Sequence, residues 1–149
     1  MKIKLLIGED RITEITKELT ALGIEIDDNA PLVLMERDKF ITHIPVKDEN
    51  GERYNISVDD IIYFESYSHT VEIHTLNDCY KSNERLYQLY SMLDPQCFLR
   101  ISNSVIISKC HVKKIKPALS MKFVLTLSDG TLVDVTRSYY NIFKEFFGI

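Results

Sequence analysis

The sequence predicts a mainly β protein of the α+β class, in which short strands and two short helices form the bulk of the chain behind a small βαβ-like unit. Three observations carry that expectation. From Ile41 onward apolar and polar residues alternate in short runs. Turn-forming pairs, Asn50-Gly51 and Asp129-Gly130, separate such runs. Helical spacing in this part is confined to the segments after Asn83 and from Tyr139 to the end. The chain of 149 residues has room for one ordinary domain with a small appendage, and its 45% hydrophobic and 27% charged residues suit a soluble globular protein. We therefore expect residues 1–43 to form the small unit and residues 44–149 the main domain.

In the first unit Met1 to Ile7 reads as a strand, and Asp10 stands where a helix N-cap would. Ile12, Ile15, Leu19 and Leu22 then recur at helical spacing, with Gly23 as the stop. After the turn-formers Asp27, Asp28, Asn29 and Pro31, the run PLVLMER reads as a second strand, and the unit ends near Lys39. One helix on two strands buries little, so the unit is expected to lean on the main domain or on a second copy of itself.

In the main domain KDENGER is a turn, RYNISV and IIYFES are strands, and VEIHTL pairs through Asn77 and Asp78 onto CYKS. Asn83 is the expected cap of a helix whose Leu86, Leu89 and Leu93 form one apolar stripe, ended by Asp94 and Pro95. FLRISNSVIIS follows, with Phe98, Ile101, Val105, Ile106 and Ile107 as core residues and Arg100, Ser102, Asn103, Ser104 and Ser108 as hydrogen-bonding groups between them. VKKIKP is a strand, and MKFVLTL and TLVDVT form a hairpin through SDG. The last segment, YYNIFKEFFGI, reads as a helix docked on the sheet through Tyr139, Ile142 and Phe146.

Charge is unevenly distributed. The net charge is −4, yet Pro95 to Ser128 contains no Asp or Glu while holding Arg100, Lys109, Lys113, Lys114, Lys116 and Lys122. Such a window faces something anionic, because local charge decides nucleic-acid binding more than the total does. No apolar run approaches the roughly 20 residues that span a bilayer, and charge interrupts the amino end too early for a secretory signal, so a cytoplasmic location is expected. Cys79, Cys97 and Cys110 are odd in number and lack CxxC spacing, which predicts reduced thiols and neither a disulfide framework nor a metal site.

Taken together, IIYFES, the polar loop before VEIHTLND, the helix SNERLYQLYSMLDPQ, FLRISNSVIIS, the lysine-bearing strand to Ile115, the hairpin LTLSDGTLVDV and TRSYYNIF stand in the order of the LytTR DNA-binding domain, which residues 44–147 resemble. The resemblance implies an elongated β fold of small antiparallel sheets that reads duplex DNA with loops in successive major grooves. It implies base contacts from Ser68 and His69, from Asn103 and from Arg137, in a bacterial transcription regulator. This chain has Ser102 where many members have His, Asn103 where they have a basic residue, and Ser108 where they have Asn. With the short βαβ-like unit standing where a phosphorylation receiver is usual, the chain looks like a stand-alone LytTR regulator. Some of these bind repeated sites in pairs, and some are held by a membrane-embedded inhibitor.

The residue chemistry agrees. Arg137 can fork onto guanine O6 and N7, and Asn103 can pair with adenine N6 and N7, each such contact discriminating by about 1–3 kcal/mol. His69 can meet a base edge or a phosphate. Arg100, Lys109, Lys113 and Lys114 are suited to phosphates, which add affinity without sequence information. Blander readings stand beside these. Asn103 also suits a tight turn, Arg100 an ion pair with Asp94, and the strand lysines a protected sheet edge. Enzymatic readings fare worse: Cys110 and His111 are neighbours that a strand would point to opposite faces, and no GxGxxG, GxxxxGK or HxxxH is present. No cofactor is expected. The alternative to a DNA-binding regulator is a protein-interaction module on the same fold, held by a partner at the membrane.

Overall fold

The computed structural model describes residues 1–36 and 40–149 and divides into two compact units, Met1–Phe40 and Ile41–Ile149. Residues 41–43 thus belong with the second unit, where Ile41 and Ile44 join its packing. Arg37, the end of the expected PLVLMER strand, and Lys39 lie outside the described residues.

In the first unit β1 (Lys2–Leu6), β2 (Glu25–Ile26) and β3 (Leu32–Met35) form a parallel sheet of order β2-β1-β3, joined by α1 (Glu9–Ala21). The two-residue β2 was not foreseen. It is too short to show an alternation, and its position comes from pairing Ile26 with Ile3. Gly8, not Asp10, is the N-cap of α1, and its amide donates to the Glu36 carboxylate at 3.0 Å. At the other end Gly23 takes φ 79°, the left-handed turn that stops a helix. Ile12 of α1 and Leu22 just past its end are exposed, and Ile3 of β1 and Ile7 just after that strand are the unit's buried side chains among the described residues.

The second unit is almost wholly antiparallel. β4 (His43–Lys47), β5 (Arg53–Ser57), β6 (Ile61–Tyr67), β7 (Thr70–Thr75), β8 (Cys79–Ser82), β9 (Phe98–Arg100) and β10 (Val105–Ser108) form one sheet of order β5-β4-β8-β7-β6-β10-β9. The helix α2 (Leu86–Met92) packs on one face of it through Leu86 and Leu89, with Leu93 just beyond, against Ile44, Phe64 and Ile106. A second sheet, β11 (Val112–Ala118), β12 (Lys122–Leu127) and β13 (Leu132–Val135), shares the other core with Val105 and Ile107. The alternation of β10 explains both cores: Ile106 faces one and its two neighbours the other, so all three are buried.

Two helix readings need correction. Arg85, not Asn83, is the N-cap of α2, and its backbone amide donates to the Gln88 side-chain oxygen at 2.9 Å. The carboxy-terminal helix α3 (Tyr140–Phe147) buries Phe143 completely, with the Phe123 and Phe147 rings tilted against it, while Ile142 is 52% exposed. Tyr139 and Phe146 pack against the same core as expected, whereas Ile142 does not and Phe143 takes the central place.

Candidate nucleic-acid interface

The β6–β7 hairpin closes directly after the Tyr67–Thr70 pair, leaving Ser68 and His69 as a two-residue turn. Both have positive φ, 40° and 72°, the backbone that lets a two-residue turn follow the twist of its strands. Neither is glycine or asparagine, so each carries a strain of order 1–2 kcal/mol. The register of β6 on β7 imposes the turn, and both side chains are exposed. We expect the double change Ser68→Asn, His69→Gly to raise the unfolding free energy by about 1–2 kcal/mol. Urea denaturation measures it: the midpoint should rise with an unchanged m-value.

The second turn links β9 to β10. Ile101 donates its amide to the Val105 carbonyl at 3.0 Å, and Ser104 donates its amide to the Ser102 hydroxyl at 3.2 Å. Arg100 is occupied here: Nε donates to the Ser102 carbonyl at 3.1 Å and Nη2 to the Asn103 carbonyl at 2.6 Å. It braces the loop from beneath, rather than pairing with Asp94, whose Oδ1 instead accepts the Gln96 amide. The Ser66 amide donates to the Ser104 carbonyl at 2.8 Å, which ties this loop to the strand carrying the first turn.

The third turn follows β13. Thr136 donates its amide to the Ile101 carbonyl at 3.0 Å, and a single turn of 3₁₀ helix then spans Arg137–Tyr139. From that turn the Tyr139 hydroxyl donates to Asn103 Oδ1 at 3.3 Å. Asn103 therefore uses its side chain on a neighbouring turn and not on its own backbone, and its exposed amide group keeps two donors and a second lone pair. Arg137 is exposed, and among the described residues nothing fixes its guanidinium.

These bonds bring the three turns side by side. His69, Arg100 and Asn103 line one open concavity of about 200 Å³, and the turn of Arg137 adjoins that of Asn103. Arg85, at the head of α2, lines the same concavity; it lies outside the acid-free window and was not singled out from the sequence. The lysines are placed differently. Lys109 follows β10 at the end away from Asn103, with Nζ 4.9 Å from the centre of the Phe146 ring. Lys113 and Lys114 are exposed on β11, where Lys114 pairs with Thr126, whereas Pro117 pairs with Phe123 beside Val135. In register, Lys116 and Lys122 thus stand nearer to Arg137 than Lys113 and Lys114 do.

Two further expectations are adjusted. Ser108 is buried, with its hydroxyl 3.3 Å from the Cys110 sulfur, so it is not part of a polar contact surface. Lys109–His111 forms a 3₁₀ turn and not a strand, so opposite strand faces do not separate Cys110 from His111. His111 is instead engaged elsewhere, its Nδ1 3.0 Å from the Ser128 hydroxyl. No helix of the described residues is long and apolar enough to cross a membrane.

Comparison with known proteins agrees with this architecture. Residues 51–148 match the family model described as the LytTr DNA-binding domain. The transcriptional regulatory protein LytR of Staphylococcus aureus (strain N315) is 26% identical over 143 residues, covering 95% of this chain and 58% of that protein. The sensory transduction protein LytR of Staphylococcus haemolyticus is 27% identical over 143 residues, covering 95% of this chain and 53% of that protein. The chain thus spans little more than half the length of these curated relatives, and the similarity reaches into the amino-terminal unit. Among solved structures, the LytTr DNA-binding domain of a methyl-accepting/DNA response regulator from Bacillus cereus superposes with a TM-score of 0.69 at 21% identity. That match covers 73% of this chain and 99% of the other and concerns the fold alone.

Proposed function

This chain belongs to the LytTR DNA-binding domain family, and from that premise we propose that it is a cytoplasmic, sequence-specific transcription regulator reading major grooves of duplex DNA with three turns. Base contacts fall to Ser68, His69, Asn103 and Arg137. The observation that carries this reading is the chain of bonds placing those turns together, Ser66 to Ser104 and Tyr139 to Asn103, with the reading groups left exposed. A strained two-residue turn without glycine supports it too, since such strain gathers where function needs a particular side chain.

Phosphate contacts are assigned to Lys109, Lys113 and Lys114, whose support is exposure within a stretch free of acids. Arg100 acts in this scheme by fixing the Asn103 loop, with its remaining N–H groups free for a phosphate. Binding in pairs on repeated sites, and restraint by a membrane-embedded inhibitor, belong to the same proposal. Nothing in the family points to an enzyme.

Selection of bound fragments from the source genome tests the reading. Retained fragments should share a motif, and affinity should fall steeply as salt rises, because each neutralised phosphate releases counterions. Lys113→Ala should weaken binding to all sequences alike and reduce the salt slope by about 1. Absence of retained fragments, or retention indifferent to salt, would favour the protein-interaction reading instead.

A further inference from the structure

The face of the seven-stranded sheet opposite α2 carries a group of side chains that the proposed DNA recognition does not use. His74 on β7 pairs directly with Cys79 on β8, and Glu72, two residues before His74, points to the same face. His74 Nε2 lies 3.3 Å from Glu72 Oε2 and 4.0 Å from Cys79 Sγ. All three ligand atoms lie within 4.8 Å of one another. The imidazole is held in place, its ring stacked on Tyr63 with centroids 4.1 Å apart and planes 5° from parallel.

The convergence of three ligand atoms on a held imidazole is what points to a shared ligand. Glu72 and Cys79 converge on the same nitrogen. Without a metal, Nε2–H can donate to the carboxylate while the thiol donates to the Tyr80 carbonyl at 3.9 Å; with one, the same three atoms are placed to turn their lone pairs to a shared cation. Across the sheet Glu72 is paired with Glu65 on one side and with Lys81 on the other. A bound cation would take the Nε2 lone pair, the carboxylate and the sulfur together.

We propose that Glu72, His74 and Cys79 form a site for a zinc-like divalent cation, with water completing a tetrahedral shell. The distances suit it. Ligand lengths of about 2.0–2.2 Å for N and O and about 2.3 Å for S place tetrahedral neighbours about 3.4 Å (N to O) and about 3.6 Å (N to S) apart. The first is essentially present, and the second needs a rotation of an exposed cysteine side chain. Thiolate, imidazole and carboxylate as a set favour zinc over magnesium or calcium. On binding, the Cys79 S–H bond gives its proton to solvent and the sulfur pair goes to the metal, with no change of oxidation state. Among the described residues Lys81, paired opposite Glu72, is the cation facing the group in register, and it opposes the site only as a flexible surface charge. CxxC and HxxxH spacings are lacking because the ligands come from two residues of one strand and the facing residue of the next.

Cobalt(II) titration of the full chain tests the proposal, since tetrahedral Co²⁺ with a thiolate ligand gives visible d–d bands and a sulfur-to-cobalt charge-transfer band. We expect saturation at one equivalent, displacement by Zn²⁺, and loss of the charge-transfer band in Cys79→Ser. Cys97→Ser and Cys110→Ser should keep it. Glu72→Gln should lower Zn²⁺ affinity by more than the about 10–100-fold typical of losing a residue outside the first shell. A thermal melt of each variant without metal checks that it folds. Featureless spectra with wild type, or bands that persist in Cys79→Ser, would overturn the assignment whatever the outcome for DNA.

Discussion

Replacing Phe143 with alanine is expected to destabilise the second unit by about 3–5 kcal/mol. That is a large fraction of the about 5–15 kcal/mol that holds an ordinary domain together. Phe143 is fully buried, with ring centroids 5.0 Å from Phe123 and 4.7 Å from Phe147, and it joins the core that also contains Leu125 and Val135. Truncation removes the apolar area and leaves a cavity beneath a helix that can relax little, because Phe123 is also stacked on Tyr140 at 4.9 Å. Ile142→Ala, one position away, should change stability by no more than about 0.5 kcal/mol, as surface substitutions usually do. Urea unfolding of the two variants reads the difference, with the midpoint falling sharply for Phe143→Ala alone. Equal midpoints would mean that α3 docks by another face.

Arg137→Ala should leave stability unchanged and remove discrimination at one base pair. Its guanidinium is exposed and has no partner among the described residues, so truncation breaks nothing within the fold. If it forks onto a guanine, the loss is about 1–3 kcal/mol, or about 5- to 150-fold between the preferred and a substituted sequence. Lys113→Ala, by contrast, should lower affinity for both sequences equally. Competition binding with the two duplexes distinguishes these outcomes. An Arg137→Ala protein that binds both duplexes more weakly but with the same ratio would make Arg137 a phosphate contact and not a base reader.

Much of the fold was legible because strands and turns leave local marks. The strands from RYNISV to TLVDVT, the Asp129-Gly130 turn and the Leu86, Leu89, Leu93 stripe all reflect the period of an element or the chemistry of a turn. The face of α3 was legible only in part. Tyr139 and Phe146 do pack on the core, but Ile142 and Phe143 are both apolar and adjacent, and in a segment apolar on both sides periodicity cannot choose between them. Tertiary packing chose. The cap of α2 failed for a related reason: Asn83 is the better capping residue by type, but the Gln88 side chain reaches back to Arg85.

The candidate site was legible in its residue types and not in its connections. Nothing local to Ser68-His69 announces a left-handed turn, since the usual Asn-Gly pair is missing and the strand register dictates the backbone. The bond from Tyr139 to Asn103 spans 36 residues, and that from Thr136 to Ile101 spans 35. Arg100 was visible as a cation between two core residues, but its targets are backbone carbonyls, which a sequence does not mark. The grouping of Glu72, His74 and Cys79 depends in the same way on the register of β7 with β8.

The central claim is that three turns, far apart in the chain, form one DNA-reading rim. Amide chemical-shift mapping of the isotope-labelled full chain, titrated with a duplex recovered from the genomic selection, tests it most directly. The account predicts that Ser68, His69, Asn103 and Arg137 shift together at the same equivalence point, while the Glu72, His74 and Cys79 face stays still. Shifts confined to the β11 lysines, or to one of the three turns with the other two unmoved, would contradict it.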